Sequence, residues 1–294
     1  MRFLNISLEG PDCSGKTTLF NRFHRFTNFS YNVQDRSCMS MYVYSVLYGR
    51  ESSSLWFEKI YEDLKRLDTL YVILLPEEDV LIERLLMRGD DFQDETSIFK
   101  VRNIFKSLSE RFEAFDNVIV LTGVDLDKNV REITNRLDYL NNVSGKYLIK
   151  NLVKASGKNE LCDVSCKEIV DLEALDMSVL DFPQEKEYYH GITKKIKQTV
   201  SDELAGRNPS GVVQDESSRR FIYSDDSCIS MIHFLVRDNE LNVKCVLRSS
   251  NVETTLWADY EFLKIISCKF LEWINKVELI VKLEISIRSA HIIP

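Results

Sequence analysis

Apolar positions in the first half of the chain follow two alternating rhythms. Phe3, Leu4, Ile6 and Leu8 interleave with polar residues and stop at Gly10-Pro11, which predicts a strand over 2–8 running into a loop. A helix follows from Thr17, a short strand spans Tyr31 to Gln34, and Ser37 to Leu47 repeats apolar residues at helical spacing. Ser52-Ser53-Ser54 can cap a helix reaching about Leu67. Tyr71 to Leu75 is apolar throughout and ends at Pro76, as expected of a parallel strand buried on both faces. Glu77 to Met87 opens with acids that suit a helix N-terminus and then turns helical. Asn117 to Leu121 and Leu126 to Leu140 repeat the strand and the helix. Strands alternating with helices predict an α/β domain, a parallel sheet flanked by helices, over residues 1–142.

The pattern then changes. Residues 143–160 carry Ser144-Gly145-Lys146 and Ser156-Gly157-Lys158 without a sustained period and read as a linker. Residues 161–294 form the second predicted domain. Helical spacing over Glu185 to Leu204 leads to a turn at Gly206 to Gly211 and to three strand-like segments, Arg219 to Ser224, Cys228 to Val236 and Leu241 to Ser249. Asp238-Asn239 is the hairpin turn between the last two. A helix over Trp257 to Asn275 and a strand over Val277 to Ile287 complete an α+β domain with an antiparallel-looking sheet.

Composition narrows the class. The 294 residues are 44% hydrophobic, enough for two buried cores, and the longest apolar run, Leu70 to Leu75, is far below the ~18 residues of a membrane span. No charged-then-apolar leader is read at the N-terminus. The 38 basic and 46 acidic residues give a net charge of −8, spread over both halves. That disfavours nucleic acid as a partner without excluding it, and leaves small anions allowed. Seven scattered cysteines fit reduced thiols better than a disulfide framework, which predicts a cytoplasmic chain. Cys162 and Cys166, four apart, are expected to share a helix face.

One segment carries specific chemistry. Gly10-Pro11-Asp12-Cys13-Ser14-Gly15-Lys16-Thr17 has four residues between its glycines and Lys-Thr after the second, the P-loop spacing. Glycines let backbone N–H groups wrap phosphates, Lys16 reaches the terminal ones, Thr17 offers a hydroxyl to magnesium, and Thr18 continues the helix whose N-terminus favours anions. Asp35-Arg36 ends the second predicted strand, and Glu83-Arg84 with Arg88-Gly89-Asp90-Asp91 follows on the fourth helix. An acid at a strand end can hold magnesium or a substrate group, and arginines can clamp transferring phosphates. The plainer readings are a surface ion pair for Asp35-Arg36 and a solvated helix face for Arg84.

Through Leu8-Glu9-Gly10-Pro11-Asp12, Asp35-Arg36 with Ser40 and Tyr44, Val72 to Leu75, Leu81-Ile82-Glu83-Arg84 and Arg88-Gly89, residues 1–140 resemble the thymidylate kinase family of nucleoside monophosphate kinases. The resemblance implies phosphoryl transfer from ATP with magnesium to a pyrimidine nucleotide, with Asp35 and Arg36 facing the acceptor and the arginines near 88 in a lid. Members of that family carry a long acceptor-building segment before the Asp-Arg pair, whereas here 17 residues separate Thr17 from Asp35. The acceptor therefore stays open. A nucleotide sensor, and a kinase acting on hydroxymethylated bases in DNA, stand as alternatives.

In the second half, Arg219-Arg220, Cys228 and Arg248-Ser249 form a constellation able to bind phosphate beside a thiol, since nearby arginine favours the nucleophilic thiolate. An inert strand cysteine is the plainer reading. With His233-Phe234, Ser250-Asn251-Val252, Asp259 and Ser289-Ala290-His291-Ile292, residues 185–294 resemble the thymidylate synthase and deoxycytidylate hydroxymethylase family. That resemblance implies Cys228 as nucleophile toward a pyrimidine, Arg219, Arg220, Arg248 and Ser249 on the phosphate, Asn251, Asp259 and His291 in the nucleotide pocket, and a homodimer. Ile229, His233 and Ile293 depart from the family pattern, and folate use is left open. Two pyrimidine-directed halves would suit viral nucleotide metabolism in a host cytoplasm.

Overall fold

The structure is a computed structural model that describes residues 3–88, 94–170, 183–205 and 221–292. The chain divides into two compact units, Met1–Val143 and Ser144–Pro294.

In the first unit four parallel strands, β1 (Asn5–Glu9), β2 (Asn32–Asp35), β3 (Thr69–Leu74) and β4 (Val118–Leu121), lie in the order β2-β1-β3-β4. Every β3 residue is buried, which is why its sequence is apolar from Leu70 onward. The helices fall into two packed groups. α1 (Lys16–Phe26) meets α6 (Leu126–Asn142), and α2 (Cys38–Leu47) packs with α3 (Ser53–Lys65) and α5 (Glu95–Phe112), while α4 (Glu78–Arg88) touches α5. Tyr61, Phe112 and Phe115 meet edge to face within the second group. A parallel sheet with flanking helices is consistent with a P-loop kinase-like domain. After β1 the chain turns to β2 on one side and later reaches β3 on the other, so the end of β1 is a switch point where ligands bind in such sheets.

In the second unit β5 (Glu160–Val170), β10 (Ile280–His291), β8 (Glu240–Leu247), β7 (Ile229–Arg237) and β6 (Phe221–Ser224) form the sheet in that order, and β9 (Ser250–Asn251) pairs with β10. The helices are α7 (Gly145–Ala155), α8 (Pro183–Leu204) and α9 (Thr255–Trp273). Three expectations are corrected here. The sheet is mixed: β10 runs parallel to β8, because the α9 crossover returns the chain in the same direction. The stretch read as a linker holds α7, whose Leu148, Ile149, Leu152 and Val153 are buried, and the first residue of β5. Cys162 and Cys166 lie on strand β5, not on a helix, and the left-handed Asp163 (φ 57°) between them reverses the alternation so that Cys162 is exposed and Cys166 buried. Helix α5 and strand β5 have no counterpart in the sequence reading.

The expected turn at Gly206 to Gly211, Arg219-Arg220 and Gly89-Asp90-Asp91 lie outside the described residues. Among the described residues no helix is long and apolar enough to cross a membrane.

Candidate functional site

The loop leaving β1 is held open by backbone conformations that need glycine. Gly10 sits at φ +137°, and a Cβ there would lie 2.4 Å from the Leu74 carbonyl oxygen. Gly15 sits at φ +97°, and its Cβ would meet the Arg84 guanidinium at 3.2 Å. Cys13 between them is also left-handed, at φ 63°, and its carbonyl accepts from Arg84 Nη1 at 3.1 Å. Arg84 is thus turned onto the loop and is not a solvated helix face.

Lys16 is buried against the same loop. Its Nζ donates to the carbonyls of Gly10 (2.8 Å) and Pro11 (2.7 Å) and lies 3.5 Å from Ser14 Oγ. Burial lowers the ammonium's pKa, and the nearby Asp12 carboxylate acts in the opposite direction. Asp12 is itself bridged: Arg36 donates to one oxygen and the Tyr44 hydroxyl to the other at 3.0 Å. The ion pair expected for Asp35-Arg36 as a surface feature is formed instead between Arg36 and the loop.

One cleft of about 580 Å³ gathers these groups. Lys16, Thr17, Asp35, Arg36, Arg84 and Arg88 line it, together with Thr18 and the loop residues Asp12, Cys13, Ser14 and Gly15. Gly10 lies beneath, buried. Thr17, Asp35 and Arg36 are exposed, the last with its guanidinium on Asp12. Gly123, Val124, Leu126 and Asn129, on the turn from β4 into α6, complete the wall and were not anticipated. Asn129 donates to the Gly123 carbonyl at 2.9 Å and fixes that turn. Their only signal in the sequence is positional: they follow the end of a parallel strand, the edge where ligands bind.

Glu9, the last residue of β1, is fully buried. It accepts from Ser7 (3.1 Å), from Ser40 (2.5 Å) and from Ser37, the N-cap of α2. Desolvation raises its pKa, partly offset by these hydroxyls. The carboxyl ties the start of α2, and the left-handed Arg36 (φ 76°) just before it, to the strand that launches the loop. In the sequence Glu9 stands out only as a member of the Leu8 to Asp12 motif.

In the second unit the start of β7 and the ends of β8 and β10 share one end of the sheet. Cys228 is exposed there, and its carbonyl accepts from the Arg248 N–H at 2.7 Å. Arg248 Nη1 donates to the Asp226 carbonyl at 2.9 Å. Asn251 pairs with His291 across β9 and β10, Ser249 is half-buried, and His291 Nδ1 lies 3.5 Å from Ser289 Oγ. Asp259, placed in the nucleotide pocket by the resemblance, has its carboxylate engaged within the unit. It is buried in α9, with one oxygen accepting from Tyr189 (2.9 Å) and the other from Ser250 (3.0 Å), which leaves no exposed carboxylate edge.

No protein-family model and no curated protein sequence matches the chain. A solved structure of deoxyadenosine kinase from M. mycoides, with products dCMP and a flexible dCDP bound, is similar over 46% of this chain and 99% of that one, at 11% identity and a TM-score of 0.31. The fold class rests on the topology and loop geometry of this chain itself.

Proposed function

We propose that this chain is an ATP-dependent phosphotransferase whose first unit acts on a pyrimidine deoxynucleotide, as the thymidylate kinase resemblance implies. One observation carries the reading: Lys16, Thr17, Asp35, Arg36 and Arg84, distant in sequence, line a single cleft at the switch point of a parallel sheet. The residues fit the groups required. Gly10 and Gly15 hold positive-φ backbone that a side chain would strain, as a loop wrapping phosphates needs, and the Thr17 hydroxyl offers an oxygen donor that magnesium takes. When bound, ATP with magnesium supplies the phosphoryl group and neutralises its charge. Lys16 exchanges its loop carbonyls for phosphate oxygens, Arg84 and Arg88 stabilise the charge on the transferring group, and Asp35 with Arg36 orients the acceptor. Lys16→Ala should abolish ATP turnover while circular dichroism shows the fold retained; undiminished turnover would refute the loop's role.

For the second unit we propose a pyrimidine-nucleotide pocket in a homodimer, related to thymidylate synthase and deoxycytidylate hydroxymethylase. The backbone hydrogen bond that joins Arg248 to the exposed Cys228 at one end of the sheet supports it, and the internal engagement of Asp259 weighs toward binding over modification. A 5-fluoropyrimidine deoxynucleotide should form an adduct, seen by mass spectrometry, that Cys228→Ser loses. An unmodified mass would reduce Cys228 to a bystander.

A second reading, a nucleotide sensor without an acceptor, is favoured by the short connection between the end of α1 at Phe26 and the start of β2 at Asn32. It predicts ATP binding with no phosphoryl transfer.

A further inference from the structure

We infer that the groove between α2, α3 and α5 is a second binding site of the first unit, for a small aromatic monoanion such as an aryl carboxylate or sulfonate. The groove encloses about 400 Å³, within the range of ligand pockets, and it shares no lining residue with the cleft. Tyr42 and Val46 of α2 and Phe57 of α3 form two of its walls, and α5 forms the third.

The α5 wall is divided lengthwise. Its lining residues fall at positions 103, 104, 107, 108 and 111, a stripe along one face of the helix. Leu108 is buried and Ile104 half-buried, whereas Asn103, Ser107 and Arg111 are exposed. An apolar floor therefore runs beside a row of amide, hydroxyl and guanidinium groups set one turn apart, about 12 Å from end to end. The other walls are aromatic: the Tyr42 and Phe57 rings lie 5.3 Å apart, and the Arg111 guanidinium stands 4.6 Å from the Phe57 centroid.

Volume, charge and unmet hydrogen-bonding groups select the ligand. A space of this size with an apolar floor and ring walls takes a planar body of roughly two or three rings. Arg22, Arg36, Arg66 and Arg102 of the same unit each pair with a carboxylate. Arg111 has no carboxylate partner among the described residues, so its charge is left for an incoming anion. It is a single cation, which matches one negative charge and not the several of a nucleoside triphosphate. The side chains of Asn103 and Ser107 likewise meet no partner among the described residues, and they can bond the ligand along its edge.

The test is fluorescence titration of the full chain with 8-anilinonaphthalene-1-sulfonate and with N-phenyl-1-naphthylamine, which has the same rings and no charge. The wild type should bind one sulfonate per chain, about 10-fold or more tighter than the uncharged compound, and excess ATP with magnesium should not displace it. Arg111→Gln should remove the preference for the sulfonate and leave the uncharged compound's affinity unchanged. Ser107→Trp, which fills the groove, should abolish binding of both. Both substitutions are at exposed helix positions, and circular dichroism should match the wild type. Equal affinity for the two compounds, an unchanged preference in Arg111→Gln, binding that does not saturate at one site, or displacement by ATP would each overturn the site. Light scattering that shows a dimer dissociated by Ser107→Trp would also overturn it, because a second copy of the chain would then fill the groove.

Discussion

Two buried ionisable residues, Lys16 and Glu9, hold the loop that leaves β1. Lys16 satisfies its donors with loop carbonyls, so the loop keeps its shape around a buried cation. Glu9 works from below, through serines on β1 and α2. Its raised pKa has a thermodynamic consequence. A folded state that holds this proton more tightly than the unfolded chain binds more protons, so stability falls as pH rises from 4.5 through the folded value. Glu9→Gln, which does not titrate, should remove that part of the decline. Parallel pH dependences of the two proteins in urea unfolding would contradict this assignment. At this scale the sequence shows the loop and Asp35-Arg36 directly. It does not show that Arg36 pairs with Asp12, because that contact needs β1 and β2 side by side.

Among the elements, those with one unbroken period are legible. β3 is apolar from Leu70 onward, and the Asp238-Asn239 turn of the β7–β8 hairpin adopts the left-handed pair (φ 48° and 64°) that its residue types favour. Asn239→Val should therefore cost roughly 1–2 kcal/mol in urea unfolding, as a left-handed β-branched residue does, and Asn239→Gly should cost none. An equal effect of both would mean the turn is not strained. The missed elements have physical reasons. α5 buries Ile98, Val101, Phe105, Leu108 and Phe112 at helical spacing, but its capping box pairs Asp94 with Ser97 and lacks the common Glu signal. In α7 the Ser-Gly pairs flank a short helix, so turn residues at both ends concealed a four-residue apolar stripe. β5 loses its alternation at Asp163. The parallel pairing of β10 with β8 depends on where α9 crosses, which no local pattern encodes.

At the scale of the whole molecule, the chain joins a parallel α/β unit with a cleft lined by Lys16, Arg36 and Arg84 to a mixed-sheet unit in which the exposed Cys228 accepts a backbone hydrogen bond from Arg248. The net charge of −8 suits small anionic ligands captured in local cationic sites over extended polyanions. The central claim is that the first unit moves a phosphoryl group. Its most direct test follows label from the γ-phosphate of ATP, with magnesium, across a panel of nucleoside monophosphates and hydroxymethyluracil-containing DNA, beside Lys16→Ala. The account predicts label on one pyrimidine deoxynucleotide and none with the variant. ATP binding with no labelled acceptor would contradict it and make the cleft a sensor.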